Sequence, residues 1–366
     1  MSSRTTAAVV VALVVIAAAC SGGSGHHAAP SSTSTTTAHP ASVPPAAGFL
    51  SADPGLNVHA LSVWSWAGQR IATVHSKAVV QCCGIYALSP DGTRLLHYAY
   101  TPGATPRAQV LDTHGRVLAQ FSGIGSATWA DDSRHLCDLR PHGMHQAFPA
   151  GPADLALVDP GHGERVVAQV PGYGPHQSPN ILRCSVLDDQ AIAADNTMGI
   201  NTSITAVRLS TGSTSTPTWA HRTALGATTV VAVSGNGRYA LAEGSDSLGV
   251  DSEIVDTTNG RIVSHVAGQP EDLSWNGHLV AVSDPMQSLI LQVVDWRTGV
   301  LRWRSASPGP GPVPDPSAAV FARPNSDDLA LAISDLPGHD TSSAALWLIR
   351  PQTHTMLDNA VAPGIV

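Results

Sequence analysis

"ALSPDGTRLL", Ala87 to Leu96, decides the fold. A short apolar run enters a Pro-Asp-Gly turn and a second apolar run leaves it, which is a hairpin signal. The pattern recurs as "ATWADDSRHL" from Ala127, "SVLDDQAIA" from Ser185, "VAVSGNGRYALA" from Val231, "DLSWNGHLVAV" from Asp272 and "VFARPNSDDLALA" from Val320. Aligned on the turn residue, the positions are Asp91, Asp131, Asp188, Asn236, Asn276 and Asn325, with Gly92, Gly237 and Gly277 following directly in three of them. The mean spacing is about 47 residues, the length of a four-stranded repeat unit.

A second hairpin lies in each unit. "VLDTHGRVLAQF" holds Asp112 and Gly115, "LVDPGHGERVVAQV" Asp159 and Gly163, "IVDTTNGRIVSHV" Asp256 and Gly260, and "VVDWRTGVLRW" Asp295 and Gly299. "VRLSTGSTS" and "LIRPQTHTML" fill the same slot without the Asp. Asp suits the start of such turns because its carboxylate accepts bonds from backbone N–H groups ahead of it, and Gly suits a position of positive φ. Two hairpins make four strands. A lone four-stranded unit cannot bury both faces, whereas a radial arrangement lets each sheet cover its neighbour. The fold class is therefore all-β, a β-propeller of four-stranded blades. A β-sandwich pair is the competing architecture. "LSVWSWAGQRIATV", Leu61 to Val74, reads as an outer hairpin alone, with Gly68 in its turn. Six full units and this part-blade predict seven blades, with a six-bladed ring and an added hairpin as runner-up.

The Pro-Asp-Gly turn followed by an Asp–Gly turn resembles the WD-like propellers typified by the periplasmic protein of the Tol system, over about 48–366. The resemblance implies a fold and leaves the function open, because propellers host unrelated functions.

The amino terminus carries a different signal. Arg4 precedes an apolar run from Ala7 to Ala19, too short to span a bilayer, which needs about 20 residues, and suited to a signal peptide. Ala17-Ala18-Ala19-Cys20 resembles the lipobox of bacterial lipoproteins, with Ala17 standing where that family usually has Leu. The resemblance implies cleavage before Cys20, acylation of Cys20, and a protein exported and anchored by lipid to the outer face of the cytoplasmic membrane. An ordinary Ala-x-Ala cleavage site is the alternative. Residues 20–47 are Ser, Thr, Ala, Pro, Gly and His with few aliphatics, the composition of a disordered tether. The division is 1–19 signal peptide, 20–47 lipidated cysteine and tether, and 48–366 propeller.

Composition limits the function. Charged residues are 13%, and 33 Gly with 27 Pro favour turns over long helices. A net charge of −8 without a basic block excludes nucleic acid as an expected partner. Beyond Cys20, the cysteines Cys82, Cys83, Cys137 and Cys184 are an even set in an exported chain and are disulfide candidates. Repeat alignment puts them away from the Pro-Asp-Gly turns, and a bridge from Cys137 to another blade is expected, to Cys184 ahead of Cys83. "RHLCDLRPHGMHQ" gathers His135, Cys137, Asp138, His142 and His145, residue types that zinc and copper prefer. In a histidine-rich chain the same stretch also reads as a solvated loop. "DWRTGVLRW" resembles one repeat of the quinoprotein dehydrogenases (Asp295, Thr298, Gly299, Trp303), and no Gly-x-Ser-x-Gly elbow occurs. The expected protein is a monomeric, non-catalytic binding or scaffolding module of the cell envelope, with no cofactor and a protein or envelope-component partner. The alternative is an exported metal- or quinone-dependent enzyme.

Overall fold

A computed structural model describes residues 49–52, 60–75, 86–99, 107–122, 126–141, 152–171, 178–197, 200–221, 229–245, 250–283, 291–305, 317–334 and 344–358. Cys20, Cys82, Cys83, His142 and His145, with the expected signal peptide and tether at 1–47, lie outside them.

The chain opens with β1 (Phe49–Ala52), β2 (Ala60–Trp64) and β3 (Arg70–His75), a three-stranded sheet. Six four-stranded antiparallel sheets follow. Blade 1 is β4 (Tyr86–Leu88), β5 (Arg94–Ala99), β6 (Arg107–Asp112) and β7 (Val117–Ser122). Blade 2 is β8 (Ser126–Trp129), β9 (Leu136–Pro141), β10 (Ala153–Asp159) and β11 (Gly163–Val170). Blade 3 is β12 (Ser178–Ser185), β13 (Gln190–Thr197), β14 (Ile200–Arg208) and β15 (Thr214–Ser215). Blade 4 is β16 (Thr229–Val233), β17 (Tyr239–Ser245), β18 (Val250–Asp256) and β19 (Arg261–Ala267). Blade 5 is β20 (Gln269–Leu273), β21 (Leu279–Ser283), β22 (Leu291–Asp295) and β23 (Val300–Arg304). Blade 6 is β24 (Ser317–Ala322), β25 (Leu329–Ser334), β26 (Ala344–Ile349) and β27 (His354–Asp358). The only helix among the described residues is a single 3-10 turn, Thr218–His221. Six complete blades is the runner-up count rather than the expected seven, because Leu61–Val74 belongs to a sheet of three strands.

Strand order within every blade follows chain order, so each blade is a meander stitched by local turns. Side chains alternate between the two faces, and both faces are buried. In β17, Ala240 and Ala242 join Ile192, Ala194, Ile204, Val230 and Val255 in the layer between blades 3 and 4. Leu241 points the other way and packs with Ala232, Ile254, Leu273, Val280 and Val282 against blade 5. A strand covered on both sides needs apolar residues at successive positions, which is why "YALA" is continuous rather than alternating. The core is thus a set of radial layers and not one central mass.

Cys137 and Cys184 form a disulfide between β9 and β12, with their Cα atoms 6.0 Å apart. Its position corrects the alignment made from the repeats. Cys137 is the second residue of β9 and Cys184 the penultimate residue of β12, so the bridge sits at the end of the blades that carries the Asp turns. It does not clamp the base of the loop after Pro141, because four further residues of β9 intervene.

Candidate functional site

The repeated turns come together at one end of the ring. In the turns of blades 1, 2 and 4 the acidic or amide side chain organises its own backbone. Asp91 Oδ1 accepts from Ser89 Oγ at 2.6 Å, from Thr93 N at 3.0 Å and from Thr93 Oγ1 at 2.9 Å. Asn236 Oδ1 accepts from Ser234 Oγ at 2.8 Å and Arg238 N at 3.0 Å. Gly92, Gly237 and Gly277 hold φ of 71°, 71° and 79°, where Ser133 takes the strained place at 59° in blade 2. This places Asp132, not Asp131, in register with Asp91: Asp132 Oδ1 accepts from Arg134 N and His135 N, each at 3.0 Å.

Asp131 does something else. It is buried, and its carboxylate accepts from Ser185 Oγ, from Val186 N at 2.9 Å and from Leu187 N at 3.3 Å, all in blade 3. Such turn-to-turn bonds run from blade to blade. Asp91 N donates to Ser133 Oγ at 2.9 Å. Arg183 Nε donates to Gly235 O at 2.9 Å while its Nη2 binds Asp188. Asn236 N donates to Trp275 O at 3.1 Å and Asn276 N to Ser326 O at 3.2 Å. Asp327 accepts from Ser274 Oγ at 2.8 Å and faces His278 Nδ1 at 2.9 Å. The turn residues are therefore divided between capping their own turns and joining neighbouring blades. Asn325 adopts φ 57° at the head of the blade 6 turn.

The densest charged cluster lies on blade 2. Arg134 Nη2 and Nε bind Asp159 Oδ2 at 2.5 and 2.9 Å, His162 Nδ1 lies 3.2 Å from Asp159 Oδ1, and His135 Nδ1 lies 2.5 Å from Asp132 Oδ2. Burial pushes Asp159 up, but the bonds and charge of Arg134 and His162 outweigh it and hold the carboxyl below its ordinary value. Arg140 forms a two-pronged pair with Glu164, both arms 2.7 Å, and reaches Asp138 Oδ2 at 2.7 Å. These bonds hold Glu164 low. Asp138 is pushed up by burial, with Arg140 opposing, and its Oδ1 has no hydrogen-bond partner. His135 is thus tied to Asp132 and the Cys137 thiol is consumed in the disulfide, so the structure does not join them as ligands. Among the described residues no group of three or more His, Cys, Asp or Glu is arranged to hold a metal ion.

Beside this cluster a cleft of about 310 Å³ separates the outer parts of blades 1 and 2. Leu118, Ala119, Val158 and Pro160 give it apolar walls, and Gln120, Asp159 and Glu164 give it a polar rim. Leu118 and its neighbour Val117 are 45% and 49% exposed, as are Leu301 and Val300 at the matching place in blade 5, at 49% and 44%. Sequence reasoning missed this cleft. Its one signal was "RVLAQF", an aliphatic pair on a strand whose outer face has no neighbour.

A second feature lies on the innermost strand of blade 5. Asp272 is half-buried, accepts from Leu273 N at 2.7 Å, and is pushed up to about 7 by burial, with the adjacent Glu271 adding to the shift. Glu271 is itself raised by burial, against a bond from Ser283.

No family model matches the chain, and no curated protein matches it. Among solved structures it is similar to an oligogalacturonate lyase in complex with manganese, at 13% identity and a TM-score of 0.52, covering 80% of this chain and 82% of that one. It is similar also to prolyl oligopeptidase B from Galerina marginata bound to a 25mer macrocyclization substrate, at 12% identity and a TM-score of 0.51, covering 75% of this chain and 42% of that one. TolB from Acinetobacter baumannii is matched at 14% identity with a TM-score of 0.47, over 68% of this chain and 60% of TolB. The chain spans less than two thirds of TolB and under half of the oligopeptidase. At these identities the likeness shows the fold, an all-β propeller, and the functions of those proteins stay their own.

Proposed function

We propose that this chain is a lipid-anchored extracytoplasmic propeller that binds a protein or envelope-component partner without catalysis, through the cleft between blades 1 and 2. The observation that carries this reading is the cleft itself. It pairs an apolar wall at Leu118, Val158 and Pro160 with a polar rim, beside carboxylates already neutralised by arginines. That combination suits burial of an apolar anchor from a partner and gives no activated acid or nucleophile. The anchor is the acylated Cys20, with 20–47 as tether and the propeller monomeric. The three-stranded sheet takes a seventh place in the ring between blades 6 and 1. Support comes from β1, which lies against both β4 and β25, and from Val63, which packs with Leu95, Leu111 and Phe321.

Cys20→Ser tests the anchor. The substituted protein should leave the membrane fraction unlipidated, and a full-length, membrane-bound product would contradict the anchor. The competing reading is an exported metal- or quinone-dependent enzyme. Metal analysis and an absorbance spectrum of the purified domain separate the two. A stoichiometric metal or a bound chromophore favours the enzyme.

A further inference from the structure

Blade 3 has a short outer strand. In the other five blades the fourth strand has 5 to 8 residues, and in blade 3 it has 2. The third strand of blade 3, β14, is nine residues long and pairs with β13 from end to end, Ile200 opposite Thr197 and Arg208 opposite Gln190. On its other side only Ala206 and Val207 are paired, with Ser215 and Thr214. No described strand takes the edge from Ile200 to Thr205. The sequence explains the stop. Thr216 leads into Pro217, which has no N–H to give a ladder, and the chain turns into the 3-10 helix Thr218–His221. That turn carries Trp219 into the layer between blades 3 and 4, where it is buried with Ile204 and Val255.

An edge of this kind presents alternating N–H and C=O groups, which another extended backbone matches. Its position selects the occupant. β14 is a third strand, whereas the neighbouring blades end in the fourth strands β11 and β19. The edge therefore stands back from the rim by one strand spacing, about 4.8 Å. A second copy would bring its own rim against β11 and β19 before the backbones met, whereas a single extended segment enters the notch. The side chains select its character. Ile204 is buried on the face toward blade 4, in the same layer as Trp219. Ser203 and Thr205 alternate to the face toward blade 2, as Val207 does. Ser203 Oγ is buried and has no hydrogen-bond partner among the described residues. Residues 200–205 carry no charge. We propose that this edge docks an extended, uncharged segment of a protein partner, which adds to β14 as the outer strand of blade 3. The segment sets an apolar residue opposite Ile204 and hydroxyl residues opposite Ser203 and Thr205, since directly opposed residues share a face and Thr–Ser and Thr–Thr pairs bond across strands. The surface is separate from the cleft between blades 1 and 2 and does not depend on it.

Hydrogen exchange on the full chain tests it, with a synthetic peptide of alternating Thr and Val between terminal lysines as the probe, at millimolar concentration. The reference is 251–256 of β18, the same place in blade 4, where every residue is paired with β19. Without peptide, the outward amides of 200–205 should exchange at least about tenfold faster than those of 251–256. The peptide should slow them at least about tenfold and leave 251–256 unchanged. The same peptide with its Val nitrogens methylated keeps the side chains, loses the donors, and should leave the exchange fast. Amides at 200–205 as slow as the reference in the free chain overturn the inference. So does a peptide that acts no differently from its methylated form. Slowing that rises with protein concentration in the absence of peptide gives the edge to a second copy and overturns the proposed occupant. The cleft stands or falls separately, on Leu118.

Discussion

At the scale of single residues, two carboxylates in adjacent positions have different duties. Asp132 caps its own turn, and Asp131 holds Ser185, Val186 and Leu187 of the next blade. Asp131→Ala strips an acceptor from buried donors and should lower unfolding free energy by about 2–3 kcal/mol, against about 1 kcal/mol for Asp91→Ala, measured by denaturant titration. The sequence "DDS" could not reveal this division, because both residues suit a turn and only the neighbouring blade distinguishes them. Asp272 was equally illegible, since its surroundings come from strands far along the chain. Its sign is definite. A carboxyl whose folded value is raised from 3.8 to about 7 binds its proton more tightly when folded, so its contribution to stability falls as pH rises through that window. Asp272→Asn should therefore raise the unfolding midpoint at pH 8 relative to the parent. The gain should shrink toward pH 4. A gain that is the same at both pH values would contradict the raised value.

At the scale of elements, the hairpins were legible because the residues that make a turn are neighbours in sequence. Pro90, Asp91 and Gly92 act within six residues of one another, and so do Asp295 and Gly299. What was illegible was where an element sits against another. Cys137 and Cys184 sit at the end of the blades opposite to the one expected, because β9 begins directly after its turn with Cys137 at its start and β12 ends just past Cys184. The Cys137–Cys184 bridge joins residues 47 apart between blades 2 and 3. Closing a loop of that length constrains the unfolded chain by about 4 kcal/mol on the chain-entropy account. Reduction, or Cys137→Ala with Cys184→Ala, should cost about 2–4 kcal/mol in the same titration. Free alkylation of Cys137 without reductant would contradict the bridge.

At the scale of the whole molecule, the ring rests on radial layers plus a series of bonds between the turns of neighbouring blades. Sequence repeats identify the ring because each blade repeats the same local problem. They are silent about the cleft, because Leu118, Val158 and Pro160 come from two units and meet only when the blades pack. Limited proteolysis should remove 21–47 quickly and stop near Gly48, the composition there offering little to pack. The central claim is partner binding at the cleft, and site-specific photo-crosslinking in native membranes tests it most directly. A photoreactive residue at Leu118 should give one discrete adduct. The same residue at Val263, exposed on the outer strand of blade 4, should give none. Identical patterns from both positions, or no adduct at Leu118, would contradict the account.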